Sequence, residues 1–331
     1  MSPQPFFSFV RPLAVVAFGG NALLRPEDSG ALAEQRRRAE DAAGWLLPVL
    51  NRGYELIVVH GNGPQVGNIL IQVEESADRI PPQTLDVCVA QTQGSMGFLL
   101  QTAMTNVLGK SGFRKEIITL VTTVEVDAAD PGFQSPTKPI GPFFDGARAR
   151  ELIRTQGWAM TEDSGRGWRK VVASPKPKSI LSTEIIAWLV NRGKIVIAAG
   201  GGGIPVVFDG EGEMRGVEAV IDKDYVASLL ASSLSADLFV VLTGVPRVFR
   251  DFGTPSQQAI ASMTAEEARR LLADGQFPRG SMGPKIDAAA RFIESGGREV
   301  LITNPESLTE ALDRKNGTYV FAGESPAGPP S

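Results

Sequence analysis

The sequence predicts an α/β protein built on an open, mainly parallel sheet sandwiched between helices. Three observations predict it. Short, continuously apolar runs alternate with longer helical stretches, the pattern of strands buried on both faces. Most of these runs end in glycine. Residues 51–61, NRGYELIVVHG, are echoed at residues 191–200, NRGKIVIAAG, a helix–strand–glycine unit used twice in a stretch too short to establish a duplication.

Taken in order, LAVVAF (Leu13–Phe18) stops at Gly19-Gly20, and a helical stretch follows from about Ala33 to Arg52. ELIVVH (Glu55–His60) stops at GNG, and a long helical region leads to EIITLV (Glu116–Val121). KIVIAA (Lys194–Ala199) runs into four consecutive glycines, LFVVLT (Leu238–Thr243) ends at Gly244, and EVLIT (Glu299–Thr303) ends in a turn. In both copies of the echo a helix stops at Gly, a C-cap signal. From about Val126 to Ser179 the character changes: DPGFQSPTKPIGPFFDG and GRGWRKVVASPKPKS are rich in Pro, Gly and basic residues, with little apolar periodicity. This is either a long surface loop or a structured functional segment, since featureless loops of that length are uncommon.

Composition limits the function classes. The 331 residues are 43% apolar, enough for one large or two moderate domains. With a net charge of −4 and a pI near 5.3, nothing suggests a surface for nucleic acid or anionic membrane. The single cysteine, Cys88, rules out an internal disulfide framework and fits a reducing cytosol. The start, MSPQPFFSFVRP, lacks the pattern of a secretory signal, and no apolar run approaches the 18 residues of a membrane span. The expectation is a soluble, cytoplasmic protein.

In open α/β sheets, ligands bind beyond the carboxyl ends of the strands, where glycine lets backbone N–H groups approach an anion. Three glycine clusters occupy such places: Gly19-Gly20-Asn21, Gly61-Asn62-Gly63 and Gly200–Gly203. Each alone reads as a tight turn; together on one edge they favour an anion site, with phosphate the obvious ligand. Neither a G-x-x-x-x-G-K-[ST] loop nor a G-x-G-x-x-G after the first strand is present. One His and one Cys cannot build a transition-metal site, and His60 at a strand end reads as structural rather than as a general base. The chain does offer lysines in stiff settings: Lys138 in SPTKPIGP, Lys223 in IDKD, and Lys285 in RGSMGPKID ahead of a helix. Each alone reads equally well as a surface lysine. With the glycines they form a set suited to phosphoryl transfer, which mainly requires positioning and charge neutralisation.

GGNAL (19–23), HGNGPQVGN (60–68), DPGFQSPTKPIGP (130–142), AAGGGGIPV (198–206), GVEAVIDKD (216–224), LTGV (242–245) and GSMGPK (280–285) resemble the carbamate kinases of the amino acid kinase superfamily, in the same order and over residues 13 to 321. PTKPIGP and GVEAVIDKD are the specific motifs. Other amino acid kinases typically carry a lysine just before the first GG, whereas VVAFGG has none. The resemblance implies reversible phosphoryl transfer between ATP and carbamate with Mg²⁺, often towards ATP in arginine fermentation. By motif, Lys138, Lys223 and Lys285 would stabilise the transferring group, and Asp224 with Asp222 would orient them. Gly19, Gly20, Asn21, Gly61, Asn62 and Gly63 would contact the carbamoyl and phosphoryl groups. Gly200, Gly201, Gly202 and Gly203 would line the phosphate channel with bare backbone. Leu242, Thr243, Gly244, Val245 and Phe249 would flank the adenine, with Met282 and Gly283 also on the nucleotide. Carbamate is already an anionic nucleophile, so no general base is required.

The resemblance also implies one domain over residues 13–321 and a homodimer. Residues 126–179 would form a small protruding lid subdomain that delivers Lys138, and the ends 1–12 and 322–331 are expected to be flexible. The helix over Leu85–Leu108 carries more apolar and small residues than one buried stripe needs, as at a two-fold interface or a buried core position. Within it Cys88 reads as a small buried hydrophobe. Pro246 and Arg247 depart from the polar or acidic pair expected near the nucleotide rim, and RRRAE (36–40) makes the first helix unusually basic. Two alternatives stay open: another amino acid kinase, disfavoured by PTKPIGP, and a binding-only relative, disfavoured by retention of the whole charge set.

Overall fold

Six strands run parallel and stop almost level with one another. In spatial order they are Val300–Thr303, Leu238–Leu242, Leu13–Phe18, Glu55–His60, Ile195–Ile197 and Ile117–Thr119. Phe18 lies opposite both His60 and Leu242, and Leu242 opposite Thr303, so the carboxyl ends form one edge. Thr318–Phe321 joins antiparallel to Val300–Thr303, and Ser262–Thr264 closes that side. The computed structural model describes residues 7, 9–19, 30–163, 167–278 and 280–323; the ends expected to be flexible, 1–12 and 322–331, lie largely outside them.

Alternate residues of the first strand enter different cores, which is why its sequence shows no polar face. Leu13, Val15 and Ala17 pack on one side, with residues from the helices Lys223–Ser233 and Met282–Glu294. Ala14, Val16 and Phe18 pack on the other, with residues from Leu32–Trp45 and Leu85–Lys110. The single helix expected from Ala33 to Arg52 is two, Leu32–Trp45 and Leu47–Asn51. Pro48, which lacks an N–H and clashes with the preceding turn inside a helix, starts the second.

The two strands at the other edge turn a corner together. Ile117–Thr119 continues as Thr123–Val126, and Ile195–Ile197 continues through the four glycines as Ile204–Phe208. Both pairs are parallel, but the second belongs to a separate four-stranded sheet with Met214–Gly216 and Pro177–Ile180. Buried Gln93 of the long helix clamps the corner: its Oε1 accepts from Thr122 N at 2.7 Å, and its Nε2 donates to the Gly200 carbonyl at 3.0 Å. The turn needs backbone with φ of +70°, +94° and +81° at Gly201, Gly202 and Gly203, which L side chains rarely adopt.

The Pro- and Gly-rich segment is structured. Lys138–Phe144, Trp168–Val172 and Met160–Glu162 form an antiparallel sheet beside the helix Gly146–Gln156. Asp145 caps that helix by accepting from Ala147 N and Arg148 N, both at 2.8 Å, and Gly157 ends it in the left-handed conformation. Gly67 lets the helix Gly63–Glu75 lie directly on this sheet, since a Cβ there would fall 2.0 Å from Gly141 Cα.

Gly202 tests the corner. A Cβ at this position would sit 2.2 Å from the Ile221 carbonyl oxygen on backbone of positive φ. Gly202→Ala is expected to cost about 2–5 kcal/mol of folding stability. Gly210→Ala, with no neighbour within 4 Å, should change stability by less than about 0.5 kcal/mol. Denaturant unfolding of both variants checks this, and equal stabilities would mean the corner can relax.

Candidate active site

Beyond the level strand ends lies a cavity of about 590 Å³. Its floor is a cluster of three ammoniums on two carboxylates. Asp222 caps the helix Lys223–Ser233, its Oδ1 accepting from Asp224 N at 2.9 Å, while its Oδ2 accepts from Lys138 Nζ at 2.5 Å. Asp224 is shared: Oδ1 accepts from Lys223 Nζ at 2.9 Å and Oδ2 from Lys285 Nζ at 2.8 Å. The lysines thus arrive from three elements, the strand Lys138–Phe144 and the first turns of two helices, Lys223–Ser233 and Met282–Glu294.

The two signs hold each other charged. Burial alone would raise the Asp222 carboxyl, but Lys138 and Lys223 outweigh it and hold it far below the usual carboxylate range. Asp224 is likewise lowered against burial by Lys223 and Lys285. For Lys285, burial is overcome by the charge and hydrogen bond of Asp224, and its affinity for the proton rises. Lys223 goes the other way: burial, aided by neighbouring Lys285, exceeds the help from Asp224 and pulls it down to about 8. With three cations against two anions the cluster carries one net positive charge. The helix Gly63–Glu75 also starts at this cavity, so its N-terminal dipole adds partial positive charge, and the Gly63 N–H has no partner within the helix. Such an arrangement can hold a phosphate and neutralise charge that builds up on it.

Lys138, Lys223, Lys285, Asp222 and Asp224 all line this cavity, as do Gly19, Gly61, Asn62, Gly63, Gly201, Leu242, Thr243 and Gly244. Gly20 and Asn21 lie outside the described residues. The remaining predicted residues stand outside this lining or are engaged in bonds of their own. Gly200, Gly202 and Gly203 do not line the cavity; they pack where a Cβ would meet the His60 ring, the Ile221 carbonyl and the Val124 side chain. Val245 and Phe249 are carried away by the turn after Gly244, Phe249 lying 5.9 Å from Phe252, centroid to centroid, in a two-stranded ribbon. Met282 is partly buried against the core and the Gly283 N–H donates to the Pro278 carbonyl at 2.9 Å. The Gly61 N–H extends the sheet by donating to the Phe18 carbonyl at 2.8 Å, and the Asn62 amide donates to Thr92 Oγ1, also buried, at 2.9 Å. Arg247 turns from the rim to donate to Asn316 Oδ1 at 3.2 Å. His60 is fully enclosed, and burial pushes it down to about 4, which leaves it neutral packing. Cys88 is fully buried.

Arg169 and its partner Asp163 also line the cavity, and neither stood out in the sequence. Arg169 lines the cavity from the strand Trp168–Val172, donating to the Gly141 carbonyl at 3.0 Å and to Asp163 Oδ2 at 3.2 Å. Its only sequence signal was the basic cluster GRGWRK.

The amino acid kinase family profile matches residues 12–304, and the chain belongs to the amino acid kinase family. Within that family its relatives include carbamate kinases. It is 46% identical over 309 residues to the carbamate kinase of Pyrococcus furiosus, covering 93% of this chain and 98% of that one. The carbamate kinase of Giardia lamblia bound to citric acid superimposes with a TM-score of 0.90 at 36% identity, covering 95% and 99% of the two chains. The same enzyme bound to AMP-PNP gives 0.85 at 36% identity over 95% and 99%.

Lys223 makes anion binding pH-dependent. Below about 8 the free protein carries the full cationic set, and above it Lys223 loses its proton and the net positive charge with it. An anion favours the charged form, so binding above that pH must include proton uptake. The affinity for sulfate, which does not titrate in this range, is expected to be constant from pH 6 to 7.5 and to fall up to about tenfold per pH unit beyond 8. Titration calorimetry showing equal affinity at pH 7 and 9.5 would mean that Lys223 stays charged.

Proposed function

We infer that this protein is a carbamate kinase that moves a phosphoryl group reversibly between ATP and carbamate, with ADP and carbamoyl phosphate on the other side. The carrying observation is the convergence of Lys138, Lys223 and Lys285 on Asp222 and Asp224 at the floor of one cavity. In the forward direction a carbamate oxygen bonds to the γ-phosphorus, and the bond from that phosphorus to the ADP oxygen breaks. Both the nucleophile and the leaving group are anions, so no proton has to move. The chain supplies charge and position: the lysines face the equatorial oxygens of the transferring group, and the carboxylates keep the lysines apart and oriented. The Gly63 N–H and its helix dipole add a donor on the carbamoyl side. Leu242, Thr243 and Gly244 border the nucleotide side. Arg169 supplies a further positive charge to the same cavity.

Mg²⁺ fits this site as part of the nucleotide. All four oxygens of Asp222 and Asp224 already accept from a lysine or a backbone N–H. No group of three or more His, Cys, Asp or Glu able to hold a metal occurs among the described residues. Mg²⁺ commonly rides on substrate phosphates rather than in an all-protein cage. We read residues 126–179 as the lid that carries Lys138 to the ligand. No helix among the described residues is long and apolar enough to cross a membrane, and a lone buried cysteine fits the reducing cytoplasm.

A homodimer through the long helix is part of the same reading. Phe98 is 63% exposed and, with Val121 at 61%, lines a shallow groove beside Gly94, Gln101 and Thr105. Light scattering is expected to give a dimer that Phe98→Asp converts to monomer, and a wild-type monomer at micromolar concentration would remove this proposal.

The activity is tested by mixing ADP, Mg²⁺ and carbamoyl phosphate and following ATP. Turnover is expected in the wild type, with Lys138→Ala slower by about 10²–10³-fold and folded normally. No ATP from a folded wild-type sample would refute the reading, and an unchanged rate in Lys138→Ala would make that lysine a surface charge.

A further inference from the structure

Outside the cavity, a second charged network joins the elements that carry the three lysines. Lys176 lies between Pro175 and Pro177 on the stem by which the inserted segment returns to the body of the protein. Its N–H donates at 2.9 Å to Asp130 Oδ2, on the outgoing stem, whose Oδ1 accepts from Gly132 N at 2.7 Å. The two stems are thus pinned together. Lys138 is paired with Val172, four residues before Lys176.

The Lys176 ammonium reaches across to both lysine-bearing helices. It sits 3.2 Å from the ring centroid of Tyr225, the residue after Asp224, and 3.6 Å from Oδ2 of Asp287, two residues after Lys285. The Tyr225 hydroxyl donates to the Asp287 carboxylate, tying one helix to the other. Asp287 also accepts from Arg269 of the neighbouring helix Ala265–Ala273 and from Arg291 Nε at 3.2 Å. Neither Lys176 nor Asp287 lines the cavity. With the Lys176 side chain 48% exposed, such a pair adds little to global stability. Its consequence is registration: it sets how the stem bearing Lys138 stands against Lys223, Asp224 and Lys285.

We propose that Lys176 is a positioning residue for phosphoryl transfer, acting through Tyr225 and Asp287 to hold Lys138 in register with the other two lysines. The proposal rests on the kinase reading. Lys176→Met removes the charge and keeps the apolar stem. ATP formation is measured in the wild-type and Lys138→Ala backgrounds, together with hydrogen exchange at the Thr137 and Ile140 amides. The expected result is a kcat lower by about 10- to 100-fold, with the KM for ADP within about twofold, and recovery in Lys176→Arg. In the Lys138→Ala background the effect should shrink below about threefold, because the residue being positioned is gone, and exchange at Thr137 and Ile140 should accelerate about tenfold. Equal losses in both backgrounds, or unchanged exchange, would overturn the proposal. A wild type that makes no ATP would instead refute the kinase reading, and exchange at Thr137 and Ile140 would still decide this one.

Discussion

Three lysine ammoniums within reach of one another repel, and the structure depends on two carboxylates, buried Asp224 and half-buried Asp222, to keep them there. Asp224 takes Lys223 and Lys285 on its two oxygens, and Asp222 takes Lys138. At separations near 4 Å a pair of charges in a partly buried site is worth roughly 4 kcal/mol before desolvation, so none of the five groups is stable there alone. Removing one carboxylate would leave buried cations uncompensated, a change that typically costs 3–5 kcal/mol. Asp222 has a second duty as the helix cap, which places the start of the helix and the charge cluster under one side chain. The surplus of one positive charge is what remains for a ligand.

The parallel sheet makes this cluster possible by ending its strands level. Phe18, His60, Leu242 and Thr303 sit in one register, so the loops that follow share one rim. Helices that start at that rim point their N-termini into the cavity, and Lys223 and Lys285 stand in the first turns of two of them. The third lysine has to come from elsewhere, because the strand that carries it belongs to the inserted sheet. That sheet is held by close backbone contact at Gly67 and Gly141 and by Lys170, which bonds Glu74 at 2.6 Å and lies over the Trp158 ring. Pinning by Asp130 and Lys176 at its base leaves the inserted sheet attached at the end where Lys138 lies.

Much of this was readable in the chain, for identifiable reasons. Strands buried on both faces show as uninterrupted apolar runs, so LAVVAF, ELIVVH and LFVVLT announced themselves. Lys138, Lys223 and Lys285 stood out because prolines, carboxylates or glycines stiffen the backbone around them. The four glycines are ambiguous in the sequence. A positive-φ corner and a phosphate loop demand the same residue, and only tertiary packing shows that Gly200, Gly202 and Gly203 answer to His60, Ile221 and Val124. Asn62 lines the cavity, and the bond of its amide to Thr92, 30 residues on, has no local signature. The bond of Arg169 to Gly141 and the contacts of Asp287 with Lys176 and Arg269 join residues far apart in sequence, which leave no local pattern. The strands of the inserted sheet were hidden for a related reason, being short and rich in Pro, Gly and Lys.

The central claim is that the lysine–carboxylate cluster is where the phosphoryl group passes. A crystal structure with ADP, Mg²⁺ and aluminium fluoride, a mimic of the group in transfer, tests it most directly. The account predicts fluoride ligands within hydrogen-bonding distance of the ammoniums of Lys138, Lys223 and Lys285, with Asp222 and Asp224 still bound to them from behind. A mimic seated elsewhere in the cavity, with the three lysines unmoved and untouched, would contradict it.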